Sequence, residues 1–168
     1  RDIERLAGED PLTGIPNRRQ FMVEGAQMFD RAKRYQRPAS LLVMDLDHFK
    51  IINDKYGHAA GDAVLQATAS LLSGHRRGSD VPARLAGEEF AILLPETEMA
   101  GALQFAESLR TALEALRIPI PDTDQELAVT MSVGVAEYAP TDQSLDVLVH
   151  RGDEALYRAK KNGRNQVA

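Results

Sequence analysis

Hydrophobic positions along the chain change their spacing several times, and each change indicates a different element. Spacings of three and four residues predict amphipathic helices near residues 17–35, 48–56, 64–72, 102–116 and 144–159. Continuous or alternating apolar positions predict strands at 39–47, 80–85, 90–94 and 127–135. This order predicts an α/β fold, a single-domain sandwich with a central mixed (partly antiparallel) sheet flanked by helices.

Local sequence signals set the expected ends of these elements. Asn17, Asp47 and Ser144 each precede a predicted helix, and their side-chain oxygens can accept hydrogen bonds from free helical N–H groups. Gly57 and Gly61 are expected to mark a loop between the second and third helices. The hairpin formed by the second and third strands is expected to turn at residues 86–89.

Length and composition indicate one domain. A chain of 168 residues buries enough surface to fold without cross-links, and it has no cysteine for disulfides or thiolate metal sites. Residues 1–9 begin in the middle of a helical pattern. We therefore expect them to be the end of an upstream linker helix, with the domain spanning 10–168.

Charge and hydropathy narrow the classes of partner. The net charge of −5 argues against binding to a nucleic acid polymer, which would favour a basic face. The apolar run at residues 41–44 is far shorter than the roughly 20 residues that cross a bilayer, so no membrane contact is expected. No signal peptide pattern is present. We expect a cytoplasmic domain, although upstream segments could anchor the full-length protein in a membrane.

Carboxylates at strand ends are the most informative chemical feature. Asp45 ends the apolar strand on a face where an unpaired carboxylate is costly to bury, so it needs a partner. Glu88 and Glu89 lie at the predicted hairpin tip, where a solvated surface pair is an equally good interpretation. Together they suit a site for Mg²⁺, which takes one or two carboxylates plus substrate phosphates. The sequence lacks the motifs of P-loop, dinucleotide-binding, zinc-protease and serine-hydrolase sites.

Five sequence blocks, in order along the chain, resemble the GGDEF diguanylate cyclase family. They are Asp10–Arg19, Asp45–Lys50, Asn53–His58 with Gly61-Asp62, Arg84–Phe90 and Ala159–Asn165. The family's signature hairpin reads Ala86-Gly87-Glu88-Glu89-Phe90 here. The resemblance implies a fold similar to adenylyl cyclase catalytic domains and polymerase palms.

The resemblance also implies the site. Two Mg²⁺ ions per half-site, with Mn²⁺ as an alternative, would be held by Asp45, the Leu46 carbonyl and Glu88. Glu88 and Asp45 would be the catalytic residues, and Glu88 would take the proton from the 3′-hydroxyl. Asn53 and Asp62 would read the guanine edge. The other implied substrate-binding residues are Phe49, Lys50, His58, Gly87, Lys160 and Arg164.

A second implied site would bind the product. Arg77 and Asp80 precede the hairpin with the spacing of the family's product-inhibition motif, and a further basic contact would come from Arg31 or Arg110 of a neighbouring domain. The competing interpretation of Arg77 and Asp80 is a surface ion pair, which stabilises a fold by less than about 1 kcal/mol.

The implied function is a magnesium-dependent nucleotidyltransferase, a diguanylate cyclase. It would condense two GTP molecules into cyclic di-GMP and two pyrophosphates, at a site shared by two copies of the domain and under the control of an upstream sensor or regulatory domain.

The sequence departs from the family pattern at Ala86, where the family has glycine. A positive φ at this position would cost alanine about 1 kcal/mol. The alternatives are a weak or inactive domain that senses GTP or cyclic di-GMP, and a dimerising interaction module.

Overall fold

A computed structural model describes residues 7–168. The helices are α1 (Arg18–Tyr35), α2 (Phe49–Tyr56), α3 (His58–His75), α4 (Met99–Ala115) and α5 (Leu145–Lys161). The strands are β1 (Ala39–Leu46), β2 (Val81–Ala86), β3 (Glu89–Pro95), β4 (Ile118–Pro119), β5 (Glu126–Leu127) and β6 (Met131–Glu137). The linker helix expected over residues 1–9 falls largely outside the described residues and stays a prediction.

The main sheet has the strand order β2-β3-β1-β6, and its three pairings are antiparallel. Beyond β6, the last residues add a parallel bridge between Val133 and Val167, and the Ala168 N–H donates to the Val133 carbonyl. The four strands are therefore antiparallel throughout, and the parallel component of the predicted mixed sheet is limited to this isolated bridge. Strands β4 and β5 form a separate two-stranded ribbon that the sequence analysis did not anticipate.

The sheet separates two hydrophobic cores. Leu42 and Met44 of β1 point to the side covered by α3 and α4, whereas Leu41 and Val43 point to the side covered by α1 and α5. Both faces of β1 are buried because its side chains alternate between two helical layers, which explains its unbroken apolar run. The predicted α/β sandwich is confirmed.

The helix ends follow the predicted signals only in part. The Asn17 side chain accepts a hydrogen bond from the Gln20 N–H (3.0 Å) and caps α1 as predicted. Ser144 precedes α5, but its side chain makes no capping bond. Gly61 was expected in a loop; it lies instead within α3, because Gly57 alone, at φ +92°, makes the break between α2 and α3.

None of the helices in residues 7–168 is long and apolar enough to cross a bilayer.

Candidate active site

Two carboxylates face each other at the end of the sheet. The antiparallel register of β1 and β3 places Asp45 opposite Glu89. Residues directly opposite in such a pair lie on the same face of the sheet, with β-carbons about 5 Å apart. The turn of the β2–β3 hairpin, Gly87-Glu88, lies beside this pair, since the Glu88 carbonyl accepts from the Leu46 N–H (3.2 Å).

Asp45 is nearly buried and has a cationic partner. Its side chain is 12% exposed, and its Oδ2 accepts a hydrogen bond from the Lys160 ammonium at 2.6 Å. Burial raises the pKa of Asp45; Lys160 opposes this rise, and the nearby charges of Glu88 and Asp47 add to it. The strand-end carboxylate therefore has the partner expected from the cost of its burial, and that partner is Lys160.

Glu89 lies in the same negative field. The residue is half-buried, and its pKa is raised by burial first and then by the charges of Asp45 and Asp153, against the lowering effect of Lys160. Asp153 comes from α5. Two facing carboxylates, Asp45 and Glu89, whose pKa values are both raised suit a site in which a bound cation replaces part of the missing solvation.

Glu88 and Glu89 were both expected beside Asp45 in a magnesium site, and the family resemblance gave the metal and catalytic roles to Glu88 alone. The turn residue Glu88 is half-buried, and its charge is close enough to raise the pKa of Asp45, but Glu89 is the residue paired with Asp45. The register between β1 and β3 determines which of the two glutamates faces Asp45. Two strands separated by two helices carry no sequence signal for their register.

No three acidic or histidine side chains within residues 7–168 form a complete metal cluster. The donor set still fits Mg²⁺, since that ion commonly uses one or two carboxylates and completes its shell with substrate phosphates and water. Asp45 and Glu89 supply the carboxylates, and Leu46 follows Asp45 at the strand end.

Asp47 was predicted to cap α2, and this prediction is wrong. Its carboxylate accepts hydrogen bonds from the Thr130 hydroxyl (2.7 Å), the Ser132 hydroxyl (2.7 Å) and the Asn165 N–H (3.0 Å). The residue before α2 is instead His48, in the left-handed region at φ 58° and without a side-chain cap. The buried Asp47 therefore ties the end of β1 to β6 and to the C-terminal segment.

The C-terminal segment forms a strained turn next to the site. Arg164 and Asn165 have φ values of 63° and 48°, a region that costs non-glycine residues about 1 kcal/mol or more each. The Asn165 side chain accepts from Arg110 (2.7 Å) and donates to Glu114 (2.7 Å), both on α4. With the bond to Asp47, these contacts hold a turn from which the exposed Arg164 side chain extends.

The predicted guanine-reading residues lie on two adjacent helices. Asn53 is on α2 and Asp62 on α3, and the two helices pack against each other. Asp62 and His58 are exposed, whereas Asn53 is half-buried. At the start of α2, Phe49 is buried and Lys50 is exposed. The first N–H groups of a helix have no partner within it and can donate to phosphate oxygens.

The alanine in the signature hairpin is not strained. Neither Ala86 nor Gly87 has a positive φ, and a β-carbon at Gly87 would have no neighbour within 4 Å. Behind the turn, the Arg84 guanidinium donates to the Gly87 carbonyl (2.9 Å) and to the Asp10 carboxylate (3.1 Å). Although burial raises the pKa of Asp10, hydrogen bonds from Thr13 and Arg84 hold it below its ordinary value.

Arg77 and Asp80 are close together, but they are more than a surface pair. The Asp80 side chain is 3% exposed and accepts from the backbone N–H (2.9 Å) and the Nε (3.3 Å) of Arg77. Arg77, with a side chain 59% exposed, also donates to Thr97 (3.1 Å). A groove of about 300 Å³ beside this turn is lined in part by Asp80, Arg76 and Arg31 of the same chain.

The second basic contact expected from a neighbouring domain stays a prediction. Within one domain, Arg31 lines the groove next to Asp80. Arg110, on α4, donates hydrogen bonds to Glu107 and Asn165.

Comparison with known proteins identifies the class. The sequence model of the family described as "Diguanylate cyclase, GGDEF domain" matches residues 7–166. The chain belongs to this family, whose members are metal-dependent nucleotidyltransferases.

Named relatives share this domain. The chain is 39% identical over 162 residues to the response regulator PleD of Caulobacter vibrioides, covering 96% of this chain and 36% of PleD. It is 43% identical over 168 residues to the diguanylate cyclase DgcM of Escherichia coli, covering 98% of this chain and 39% of DgcM. The chain therefore spans less than two fifths of the length of these relatives.

Solved structures confirm the fold. The GGDEF domain of DgcB from Caulobacter crescentus, in complex with c-di-GMP, superposes with a TM-score of 0.93 at 34% identity, covering 96% of this chain and 92% of that one. SiaD of Pseudomonas aeruginosa, in complex with its activator SiaC, gives 0.92 at 34% identity, covering 99% and 63%.

Proposed function

We propose that this domain is an active diguanylate cyclase, which joins two GTP molecules into cyclic di-GMP and releases two pyrophosphates. The observation that carries the proposal is the pairing of Asp45 with Glu89 beside the Gly87-Glu88 turn, in a chain of this family. The unstrained Ala86 supports activity, because it removes the sequence feature that favoured an inactive sensor.

Two Mg²⁺ ions per half-site, meaning one domain's share of the reaction centre, are part of this proposal. Asp45, the Leu46 carbonyl and the hairpin glutamates would hold them, with Glu89 added to the expected set because of its position opposite Asp45. The ions would neutralise charge on the phosphates during transfer. Lys160, which now neutralises Asp45, is free to turn to a phosphate once a cation binds, since its side chain is 33% exposed.

The substrate would lie across the end of the sheet. Asn53 and Asp62 would bind the guanine edge, and His58 would border the base. The carboxylate of Asp62 accepts from the N1–H and 2-amino groups of guanine, an arrangement that adenine lacks, so ATP would leave it unpaired. The phosphates would contact the backbone at the start of α2, at Phe49 and Lys50, and the turn at Gly87. The basic side chains of Lys50, Lys160 and Arg164 would add positive charge.

In the proposed reaction, Glu88 accepts the proton of the GTP 3′-hydroxyl. The 3′-oxygen then bonds to the α-phosphorus of the GTP held by a second domain, and the bond from that phosphorus to the β-phosphate oxygen breaks. Pyrophosphate leaves with the electron pair. The same exchange in the opposite direction closes the ring, so two domains must face each other. Orientation of the two nucleotides would provide much of the rate enhancement.

Purified protein incubated with Mg²⁺ and either GTP or ATP tests the function. We expect cyclic di-GMP and pyrophosphate from GTP and no cyclic dinucleotide from ATP, measured by chromatography. Equal use of ATP would contradict the roles of Asn53 and Asp62. GTP binding without product at high protein concentration would support the sensor alternative.

Product feedback through the Arg77–Asp80 turn is a second part of the proposal. An arginine can stack on guanine or grip a phosphate, and Arg77 is exposed, whereas Asp80 is buried and bonded to the turn's own backbone. We therefore expect Arg77→Ala to weaken cyclic di-GMP binding about tenfold or more and to relieve inhibition, with little effect on the initial rate.

Arg117→Ala is the matched control, since Arg117 follows α4 and its hydrogen bonds within residues 7–168 go to carbonyls at the end of that helix, and it should leave cyclic di-GMP affinity unchanged. Calorimetry measures the affinity, and turnover at increasing product concentration measures inhibition. Unchanged affinity and inhibition in Arg77→Ala would reduce the motif to a structural turn.

The cytoplasmic location and an upstream sensor or regulatory domain belong to the same proposal. The short share of PleD and DgcM that this chain covers supports the upstream domain, and the activator bound to SiaD supports regulation by a partner protein.

A further inference from the structure

The contact between α2 and α3 depends on one glycine. Gly61 lies in the first turns of α3 and is buried against α2. A β-carbon built on Gly61 would lie 1.9 Å from the Asn53 Oδ1, 2.9 Å from the Asn53 Cγ and 3.2 Å from the Phe49 Cζ. The Asn53 amide thus occupies the space that any other residue at position 61 would fill.

The kind of atom in conflict separates Gly61 from Gly134, whose missing side chain makes room for backbone. A β-carbon at Gly134 would lie 2.3 Å from the Gly152 carbonyl oxygen, which belongs to the backbone and cannot move freely. At Gly61 the atoms in conflict are the end of a side chain, which can rotate away. Gly61 also has an ordinary helical φ, so it is not needed for a special backbone conformation.

We propose that Gly61 is a positioning residue for guanine selectivity. Its missing side chain lets the Asn53 amide lie directly against α3, one residue before Asp62, so that the two guanine-reading groups are held together. This inference rests on the proposed function, because it assumes that Asn53 and Asp62 contact the base. The neighbouring helix α3 would then set the direction of the Asn53 amide.

The test compares Gly61→Ala with Gly74→Ala. Gly74 is on the same helix and has nothing within 4 Å of a built β-carbon, so it reproduces the gain in helix propensity without the clash. Asn53→Ala and the Asn53→Ala/Gly61→Ala double variant complete a cycle that measures coupling. For each protein, kcat/KM for GTP, calorimetric GTP affinity, inhibition by inorganic tripolyphosphate and melting temperature are measured.

We expect Gly61→Ala to lower kcat/KM and affinity for GTP about tenfold or more, as Asn53→Ala does. The double variant should be no worse than Asn53→Ala alone. Tripolyphosphate, which has no base, should inhibit the parent and all four variants equally. The melting temperature of Gly61→Ala should stay within about 3 °C of the parent, because a side-chain rotation removes the clash.

Three results would overturn the inference. They are wild-type GTP affinity in Gly61→Ala, additive losses in the double variant, and a weakened tripolyphosphate site, which would indicate that the methyl group displaces Phe49. A large fall in melting temperature would overturn it as well. If the parent protein binds GTP but forms no product, the proposed cyclase function fails, while the affinity measurements still decide the role of Gly61.

Discussion

Asp45→Asn and Glu89→Gln are each expected to lower cyclic di-GMP synthesis by about 100- to 1,000-fold. Both substitutions keep side-chain size but remove one negative charge from the facing pair at the end of the sheet, and a neutral amide is a poor ligand for Mg²⁺. Turnover of GTP at saturating Mg²⁺ is the measurement. Activity close to that of the parent in either variant would contradict the carboxylate site.

Glu88→Gln separates the roles of the two hairpin glutamates. Both glutamates would hold Mg²⁺, but Glu88 would also accept the proton. Glu88→Gln and Glu89→Gln should therefore both weaken Mg²⁺-dependent GTP affinity, and Glu88→Gln should have the larger loss of kcat. Glu154→Gln is the control, since Glu154 lies on the exposed side of α5 with a side chain 56% exposed. Parental Mg²⁺-dependent GTP affinity in Glu88→Gln would contradict ion binding by Glu88, and equal losses of kcat would contradict its role as the base.

The stability of Asp45→Asn should move in the opposite direction to its activity. Burial raises the folded-state pKa of Asp45, so above that pKa the charged carboxylate is less favourable in the fold than in the unfolded chain. At neutral pH without metal, removing the charge should therefore hold or raise the melting temperature. A clear fall would mean that the Lys160 contact outweighs the cost of burial.

Asp47→Ala is expected to destabilise the domain by about 3 kcal/mol, or roughly 6–12 °C in melting temperature. It removes a buried carboxylate that accepts three hydrogen bonds and leaves Thr130 and Ser132 without their partner. The strained turn at Asn165 loses one of its anchors, so KM for GTP should rise more than kcat falls. Thermal melting and steady-state kinetics check both parts.

Asp47→Asn is the matched control for this prediction. An amide oxygen can still accept from Asn165 and Thr130, and the Ser132 hydroxyl can reverse to accept from the amide nitrogen. A loss of about 1 kcal/mol with nearly normal KM would show that the hydrogen bonds hold the turn. If Asp47→Ala changed neither stability nor KM, the Asp47 network would not position the phosphate contacts.

Predictions from the sequence were reliable where a single element carries the signal. The apolar pattern of β1 and the helix cap at Asn17 could be predicted from the local sequence, because each depends on residues close together in the chain. The role of Asp47 could not be predicted in this way. Asp47 has the position and chemistry of a cap, but its partners are 83 to 118 residues away and become visible only when the chain is folded.

The candidate site shows the same division. Its residue types were evident from the five sequence blocks, whereas the pairing of Asp45 with Glu89 depends on strand register, and the place of Gly61 depends on how two helices approach. The ribbon of β4 and β5 was missed because strands of two residues are too short to show any period.

The covered edges of the sheet limit how two copies can associate. The N–H of Arg84 in β2 donates to the Pro16 carbonyl, and the C-terminal bridge occupies the outer side of β6. Pro82 further removes a donor from β2. Two domains are therefore poorly suited to merge into one continuous sheet by strand addition. They would have to contact each other through loops and side chains. Such a contact dissociates easily, so each synthesis event stays open to control by whatever brings the two domains together.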